Sequence, residues 1–344
     1  MPPPPPSSSV LSTLSDEVRW LGLIIPTAML GVLTRLALVS LTTYASPTLS
    51  PDVYPQAVGC FVIGVASSLK PSLEYIHPHQ SSLKDSSMAI TTGYSGSVTT
   101  YATFMLDVFK GYTYITPSYY TPRGAKGAAF DVLGQLLSTT AVSISCVQLG
   151  LGIGGTIQDF VAVRLRLPEK PLPLQTRIHS RNITALVAAV LLGVSSYAIT
   201  LPLALAPSTS SLRSWVYALL FAPAGALVRH KLAQFLNGRG ALPYGTLAAN
   251  VLGTLLTCVG YGLVHLDGSN GGAVRCRVLH ATMDGLGGAM STVSTLAMEL
   301  NGMGVSRRAA VYAAVSLATA QAVCIVVVGS IKWSERGFGV ACSV

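Results

Sequence analysis

Apolar residues in this chain fall into long runs separated by short polar stretches, and the runs have the length of membrane-crossing helices rather than of strands. They occupy residues 20–44, 53–69, 87–109, 125–155 and 183–206, and the pattern then restarts and closes with a run at 308–333. About 20 mostly apolar residues suffice for a helix to cross a bilayer. The third run is unusual. It holds Thr92-Gly93-Tyr94-Ser95-Gly96-Ser97-Val98-Thr99-Thr100-Tyr101-Ala102-Thr103-Phe104, two glycines and a dense set of hydroxyls inside an apolar segment. A spanning helix keeps its backbone polar groups paired, and a break survives only where protein or a water-filled path satisfies them. A helix broken at its glycines is predicted here.

The landmarks recur. Gly31-Val32-Leu33-Thr34-Arg35 returns as Gly225-Ala226-Leu227-Val228-Arg229, and Gln56-Ala57-Val58-Gly59-Cys60 as Asn250-Val251-Leu252-Gly253-Thr254, both displaced by 194 residues. The broken segment returns 192 residues on, as Gly285-Leu286-Gly287-Gly288-Ala289-Met290-Ser291-Thr292-Val293-Ser294-Thr295-Leu296. Polar residues spaced by four, Gln135, Thr139 and Ser143, lie on one helical face of the fourth run, as do Tyr312, Ser316 and Ala320 of the last. The run at 183–206 has no counterpart. Four segments, one spacer and four segments predict an all-α polytopic fold of nine spans, the two repeats inverted relative to each other because the spacer is a single span.

The expected organisation is a disordered Pro/Ser-rich tail (1–15), a first four-helix repeat (16–155), a basic loop with the spacer helix (156–206), a second repeat (207–333) and a tail (334–344). Half the residues are hydrophobic and a tenth charged, which excludes a soluble core. The net charge of +9 does not indicate nucleic acid, because the basic residues fall between apolar runs. Arg164, Arg166, Lys170, Arg177 and Arg181 crowd the loop before the spacer. The positive-inside rule then places that loop and the N-terminus in the cytosol and the C-terminus outside, and makes the Asn182-Ile183-Thr184 sequon an unused one.

Cys60, Cys146, Cys258 and Cys324 lie in apolar runs, and no metal-binding spacing occurs, so neither disulfides nor zinc are implied. The six histidines (His77, His79, His179, His230, His265, His280) form no ligand pattern, and no P-loop is present. A membrane enzyme would need a nucleophile–base pair or metal ligands at depth, and no convergent set is found. The chemistry on offer is hydrogen-bond donation: hydroxyls, the Asn250 amide, backbone N–H groups at the breaks, and the positive ring edges of Tyr101 and Phe104. That suits a small anion stripped of water. The exposed carbonyls of the same breaks can equally hold a cation.

The Gly-Tyr-Ser-Gly-Ser-Val-Thr-Thr-Tyr-Ala-Thr-Phe pattern resembles the signature of the small bacterial fluoride channels. The Gly-x-x-x-Arg and Asn-x-x-Gly elements are similar too, and the four-plus-one-plus-four arrangement resembles the eukaryotic fluoride exporters, in which two units are fused. The resemblance implies a passive fluoride channel in the plasma membrane, complete within one chain. Its pore would use Asn250, Tyr101 and Phe104, with a hydroxyl track from Thr139 and Ser143 or from Tyr312 and Ser316. A second, degenerate pore would have Gln56, Val293 and Leu296 at the matching positions. It also implies a structural sodium ion on the backbone carbonyls of Gly96, Thr99, Gly288 and Ser291, and charges at the mouth or in structural roles at Asp107, Glu299, Arg35 and Arg229. A fluoride–proton exchanger is the alternative within transport.

Overall fold

Every regular element is helical in the computed structural model, which describes residues 6–44, 49–76, 81–113, 115, 124–165, 183–206, 212–266 and 272–334. The chain runs α1 (Pro6–Thr42), α2 (Val53–Ile76) and α3 (Ser81–Met88), which continues through a wide π-helical turn, Ala89–Ser95, into the short α4 (Gly96–Val98). After a break come α5 (Tyr101–Thr113), α6 (Gly124–Leu165) and the spacer α7 (Ile183–Leu205). The second half repeats the order with α8 (Leu212–Leu236), α9 (Tyr244–Leu266), α10 (Ala273–His280), a π turn Ala281–Gly287, and α11 (Gly288–Met290). Past its own break it ends with α12 (Val293–Met303), α13 (Arg307–Cys324), a π turn Ile325–Gly329 and α14 (Ser330–Lys332). Among the described residues five helices are long and apolar enough to cross a membrane: Ser15–Thr42, Lys126–Val161, Ile183–Leu205, Tyr244–Leu266 and Arg307–Lys332.

Three expectations are corrected. Residues 6–15 are not a disordered tail: α1 starts at Pro6, a residue whose fixed φ suits a first turn. Further along the same helix Arg19 Nε donates to Asp85 Oδ2 at 2.5 Å and Lys231 pairs with Glu17 at 3.1 Å. Helix α6 runs ten residues past 155, so Arg164 belongs to it. Finally, Cys276 is disulfide-bonded, although no spacing announced it. Arg166, Lys170, Arg177, Arg181, Asn182, His77, His79 and His179 lie outside the described residues.

Lipid is as apolar as leucine, so helices in a membrane associate through small residues that let backbones approach. The α2–α6 pair shows this: a Cβ on Gly64 would stand 2.5 Å from the Val147 carbonyl, and one on Gly154 would stand 2.7 Å from Ser68 Cβ. Helix α7 packs on α1 where Gly22 and Gly193 meet, and turns Leu191, Leu192, Val194 and Ile199 outward. Contacts also fix directions. Residue numbers rise together along α1 and the first broken segment (Arg19 with Asp85, Gly31 with Tyr94 and Ser97). They do so again along α8 and the second (Ala218 with Gly285, Gly225 with Met290). Between α1 and α8 they run oppositely: Trp20 stacks on His230 at 4.1 Å at one end, while Arg35 reaches Asp284, level with Ala218, at the other.

Candidate functional site

The two breaks meet at the centre of the molecule, and they fall on hydroxyl residues, not on the glycines. Thr99 (φ −84°, ψ 145°), Ser291 (φ −86°, ψ 151°) and Thr292 (φ −152°, ψ 132°) are extended, whereas Gly96 and Gly288 stay helical at φ −69° and −66°. The side-chain oxygens take over the pairing that helix geometry would have supplied. Thr99 Oγ1 lies 3.1 Å from Thr292 Oγ1 and donates to Ser294 Oγ at 3.0 Å. Thr100 Oγ1 lies 3.2 Å from Ser291 Oγ, which accepts from the Ala102 N–H at 3.0 Å. All of these hydroxyls are buried.

The glycines serve a different purpose. Arg229, from the second repeat, donates to the carbonyls of Thr92 and Gly96 in the first. Arg35, from the first, donates to the Asp284 carbonyl of the second and to that of Ser97 at 3.1 Å. A Cβ on Gly96 or Gly288 would overlap the guanidinium of Arg229 or Arg35 respectively. Each arginine therefore braces the broken segment of the opposite repeat, and neither sits at a mouth.

Asn250 and Gln56 staple the breaks from the side. Asn250 Oδ1 accepts the Thr292 N–H at 2.7 Å and Nδ2 donates to the Thr292 carbonyl at 3.2 Å. Gln56 Nε2 donates to the Thr100 carbonyl at 2.8 Å, but its Oε1 is buried with no partner. Helix packing sorts the remaining residues into two groups. Helix α5, carrying Tyr101 and Phe104, packs against α9 (Asn250), α6 (Thr139, Ser143) and α13 (Tyr312, Ser316), and α9 and α13 also touch each other. Helix α12, carrying Val293 and Leu296, packs against α2 (Gln56) and α6 (Thr139, Ser143). Because α5 also packs against α6, both hydroxyl tracks stand beside the helix that carries the rings. In the first group Tyr101 and Phe104 meet edge-on, with centroids 6.3 Å apart at 81°.

Serine and threonine inside helices ordinarily bond back to the preceding turn, and most here do: Thr27 to Leu23, Thr319 to Val315, Ser196 to Leu192. Thr139, Ser143 and Ser316 do not. Each is 1% exposed; the Thr139 and Ser316 hydroxyls have no hydrogen-bond partner, and the Ser143 hydroxyl meets the Cys60 thiol. Buried polar atoms are nearly always paired; the unpaired hydroxyls here include Thr139 and Ser316 at the predicted track positions and Ser95, Ser97 and Thr257 elsewhere. Tyr312 is different, because its hydroxyl donates to Glu299 Oε2 at 2.7 Å. Glu299 Oε1 also accepts from Thr246 at 2.7 Å and from Asn237 Nδ2 at 3.4 Å. Asp107 is paired with Lys110 at 2.9 Å, and Lys110 stands 4.8 Å over the Tyr261 ring. Thr246, Asn237, Thr100, Thr292 and Ser294 were missed by the sequence reading, since single hydroxyls and amides carry no spacing signal.

The four residues implied as sodium ligands divide. Thr99 and Ser291 end α4 and α11, where helix-end carbonyls suit a cation. Gly96 does not suit one, because its carbonyl already accepts Arg229 Nη1 at 2.5 Å, and Gly288 lies against the Arg35 guanidinium. Among the described residues no group of three or more His, Cys, Asp or Glu side chains is placed to hold a metal.

Two broken helices meet inside a bundle of apolar helices, and hydroxyl and amide donors surround the breaks. The chain belongs to the CrcB family: the family described as CrcB-like protein, Camphor Resistance (CrcB), matches residues 23–151 and 216–330, one segment in each repeat. Fluoride export protein 1 of Candida albicans is 30% identical over 89% of this chain and 78% of its own length. Fluoride export protein 1 of Neurospora crassa is 28% identical over 96% and 69%. Fluoride export protein 1 of Schizosaccharomyces pombe is 30% identical over 90% and 94%. No solved structure matches the chain.

Proposed function

We propose that this protein is a passive fluoride-selective channel that exports fluoride from the cytosol, with one working path and one degenerate one. The observation that carries the reading is the orphaned Ser316 hydroxyl, 1% exposed, on a helix that packs with the Tyr101–Phe104 edge pair and Asn250. A dehydrated anion needs donors. This group supplies a hydroxyl, an amide already held rigid by Thr292, and ring edges of positive character. The second group keeps the hydroxyls of Thr139 and Ser143 but offers Val293 and Leu296 instead of rings, so it lacks the edge contacts. Hydrogen fluoride crosses membranes as a neutral acid and ionises inside. A negative-inside potential then drives the anion out at about 2.3 kcal/mol per 100 mV, with no coupled ion.

The paired directions of α1 with α8 and of each with its broken segment support two inverted repeats and nine spans. The disulfide at Cys276 supports an orientation with the N-terminus cytosolic and the C-terminus outside, because disulfides persist on the oxidising side of a membrane. The start of α10, the end of α9 and the end of α13 share that side. An antiparallel pair of repeats in a single chain makes a complete unit as a monomer, and fluoride protection places it in the plasma membrane.

The test is fluoride release from liposomes reconstituted with the full chain, driven by a potassium–valinomycin potential and read with a fluoride electrode. Rapid fluoride release without chloride release, lost in Asn250→Ala, is the expected result. No release from wild type would overturn the channel, and release that requires a proton gradient would point to an exchanger.

A further inference from the structure

The four-residue series on α13 that begins with Tyr312, Ser316 and Ala320 continues to Cys324, and the series on α9 that begins with Asn250 and Thr254 continues to Cys258. The two series end on each other. Cys258 Sγ and Cys324 Sγ are 3.5 Å apart, both residues are fully buried, and both are free thiols. Cys324 Sγ also lies 3.8 Å from the Met105 carbonyl of α5, which accepts Gln321 Nε2 at 2.9 Å. A pair of thiols therefore stands where α5, α9 and α13 join. The position of Cys258 is taken by Gly64 in the first repeat, where a Cβ would already overlap the Val147 carbonyl, so no thiol stands at the matching place there.

A disulfide bond is about 2.05 Å long. Closing the gap to that length asks each sulfur to move by roughly 0.7 Å, which small side-chain rotations supply. Burial selects the oxidant. A bulky, charged reagent such as oxidised glutathione does not reach sulfurs with no exposed surface, whereas hydrogen peroxide is small and uncharged. One thiol, as its thiolate, attacks the peroxide; the O–O bond breaks, giving a sulfenic acid and water. The second thiol attacks the sulfenic sulfur, the S–O bond breaks and a second water leaves. The two thiols thus give up two electrons and two protons, and the peroxide becomes two waters. Oxidising conditions reach this half of the protein, since α10, which packs on α9, carries the disulfide-bonded Cys276.

We propose that Cys258 and Cys324 form a reversible disulfide that slows fluoride passage along the Asn250 path. This rests on the fluoride reading above and deepens it by assigning a redox control to the same group of helices. The bond draws α13 towards α9 at the end of the face that carries Ser316, about two helical turns away. It also takes the S–H donor from the Met105 carbonyl. A track hydroxyl moved off the ion forfeits one hydrogen bond to a charged species, which slows passage about tenfold or more.

The full chain, purified with its thiols reduced, is treated with hydrogen peroxide and divided between proteolytic mass spectrometry and liposome efflux. The expected result is a linked peptide pair joining Cys258 to Cys324, lighter by two hydrogens than the separate thiols, with efflux about tenfold slower or more and restored by dithiothreitol. Cys258→Ala keeps Cys60, Cys146 and Cys276, so its efflux should match that of reduced wild type and stay unchanged under peroxide. Peroxide inhibition of that variant would assign the effect to another thiol and overturn the proposal. A linked pair with undiminished efflux overturns it too, as does the absence of a linked pair. Reduced wild type that releases no fluoride sinks the channel reading and with it the slowing, while the linked peptide still decides the bond. Should Cys258→Ala not give monodisperse protein, Cys324→Ala takes its place with the same expectations.

Discussion

Replacing Ser316 by alanine separates a pore-lining hydroxyl from a structural one, because the two roles move stability and conduction in opposite senses. Ser316 is 1% exposed and its Oγ has no protein partner. Removing a hydroxyl that is paired in the native state costs about 1 kcal/mol, and leaving its partner unpaired adds about 1–3 kcal/mol. Neither cost arises here, since nothing in the protein is bonded to it. Ser316→Ala should therefore melt within a few degrees of wild type in detergent, or slightly above it. Conduction should respond strongly. A hydrogen bond to a charged species is worth about 1.5–3 kcal/mol, which at about 1.4 kcal/mol per factor of ten is about a tenfold to hundredfold loss if the anion leans on Ser316 at the rate-limiting point. Two controls share the assay. Thr319→Ala, three residues on, removes a hydroxyl back-bonded to the Val315 carbonyl at 2.7 Å and should conduct as wild type does. Ser143→Ala removes a buried hydroxyl from the second group and should also be silent if only the first group conducts. Wild-type efflux from Ser316→Ala, or a defect in Ser143→Ala as large as in Ser316→Ala, would refute the assignment of a single working path.

The ring pair gives a second test by exchange. Phe104→Leu installs the residue that the second repeat carries at Leu296 and should abolish most fluoride efflux, while Leu296→Phe should leave the rate unchanged; efflux from both at the wild-type rate would remove the rings from the path. A pH test follows from Asp52, which precedes α2 and is 5% exposed with Oδ2 unpartnered. Burial first, and then the nearby Asp107 carboxylate, push its carboxyl up to about 8. Because the folded state holds this proton more tightly than the unfolded one, the stability it contributes is present at low pH and declines as pH rises from about 4 to about 8. Asp52→Asn should raise the melting temperature at pH 8 and flatten its dependence over that window, and an unchanged pH profile would contradict the burial.

Length and apolarity of the runs were sufficient to give an all-helical membrane fold, because no other backbone arrangement of such segments leaves its peptide groups paired in lipid except a closed barrel, and barrel strands alternate. The duplicated landmarks, including Arg35 with Arg229 and Gln56 with Asn250, were legible for the same reason that periodicity is: order along a chain survives without knowledge of space. The start of α1 was not legible, since its first turns are rich in Pro and Ser, and the long-range pairs on that helix, Arg19 with Asp85 and Glu17 with Lys231, join residues 66 and 214 positions apart. Nor was the position of the breaks. Glycine is the residue sequence reasoning expects at a break, yet here it makes room for a guanidinium from the other repeat, and the chain opens where Thr99 and Ser291 can trade hydroxyls across the centre. The hydroxyl tracks show the division most clearly. Four-residue spacing placed Thr139 with Ser143 and Tyr312 with Ser316 on their helix faces. Which rings and which amide each face meets depends on how α5 and α12 cross to the opposite repeat, and contacts between residues nearly two hundred positions apart are set by packing alone.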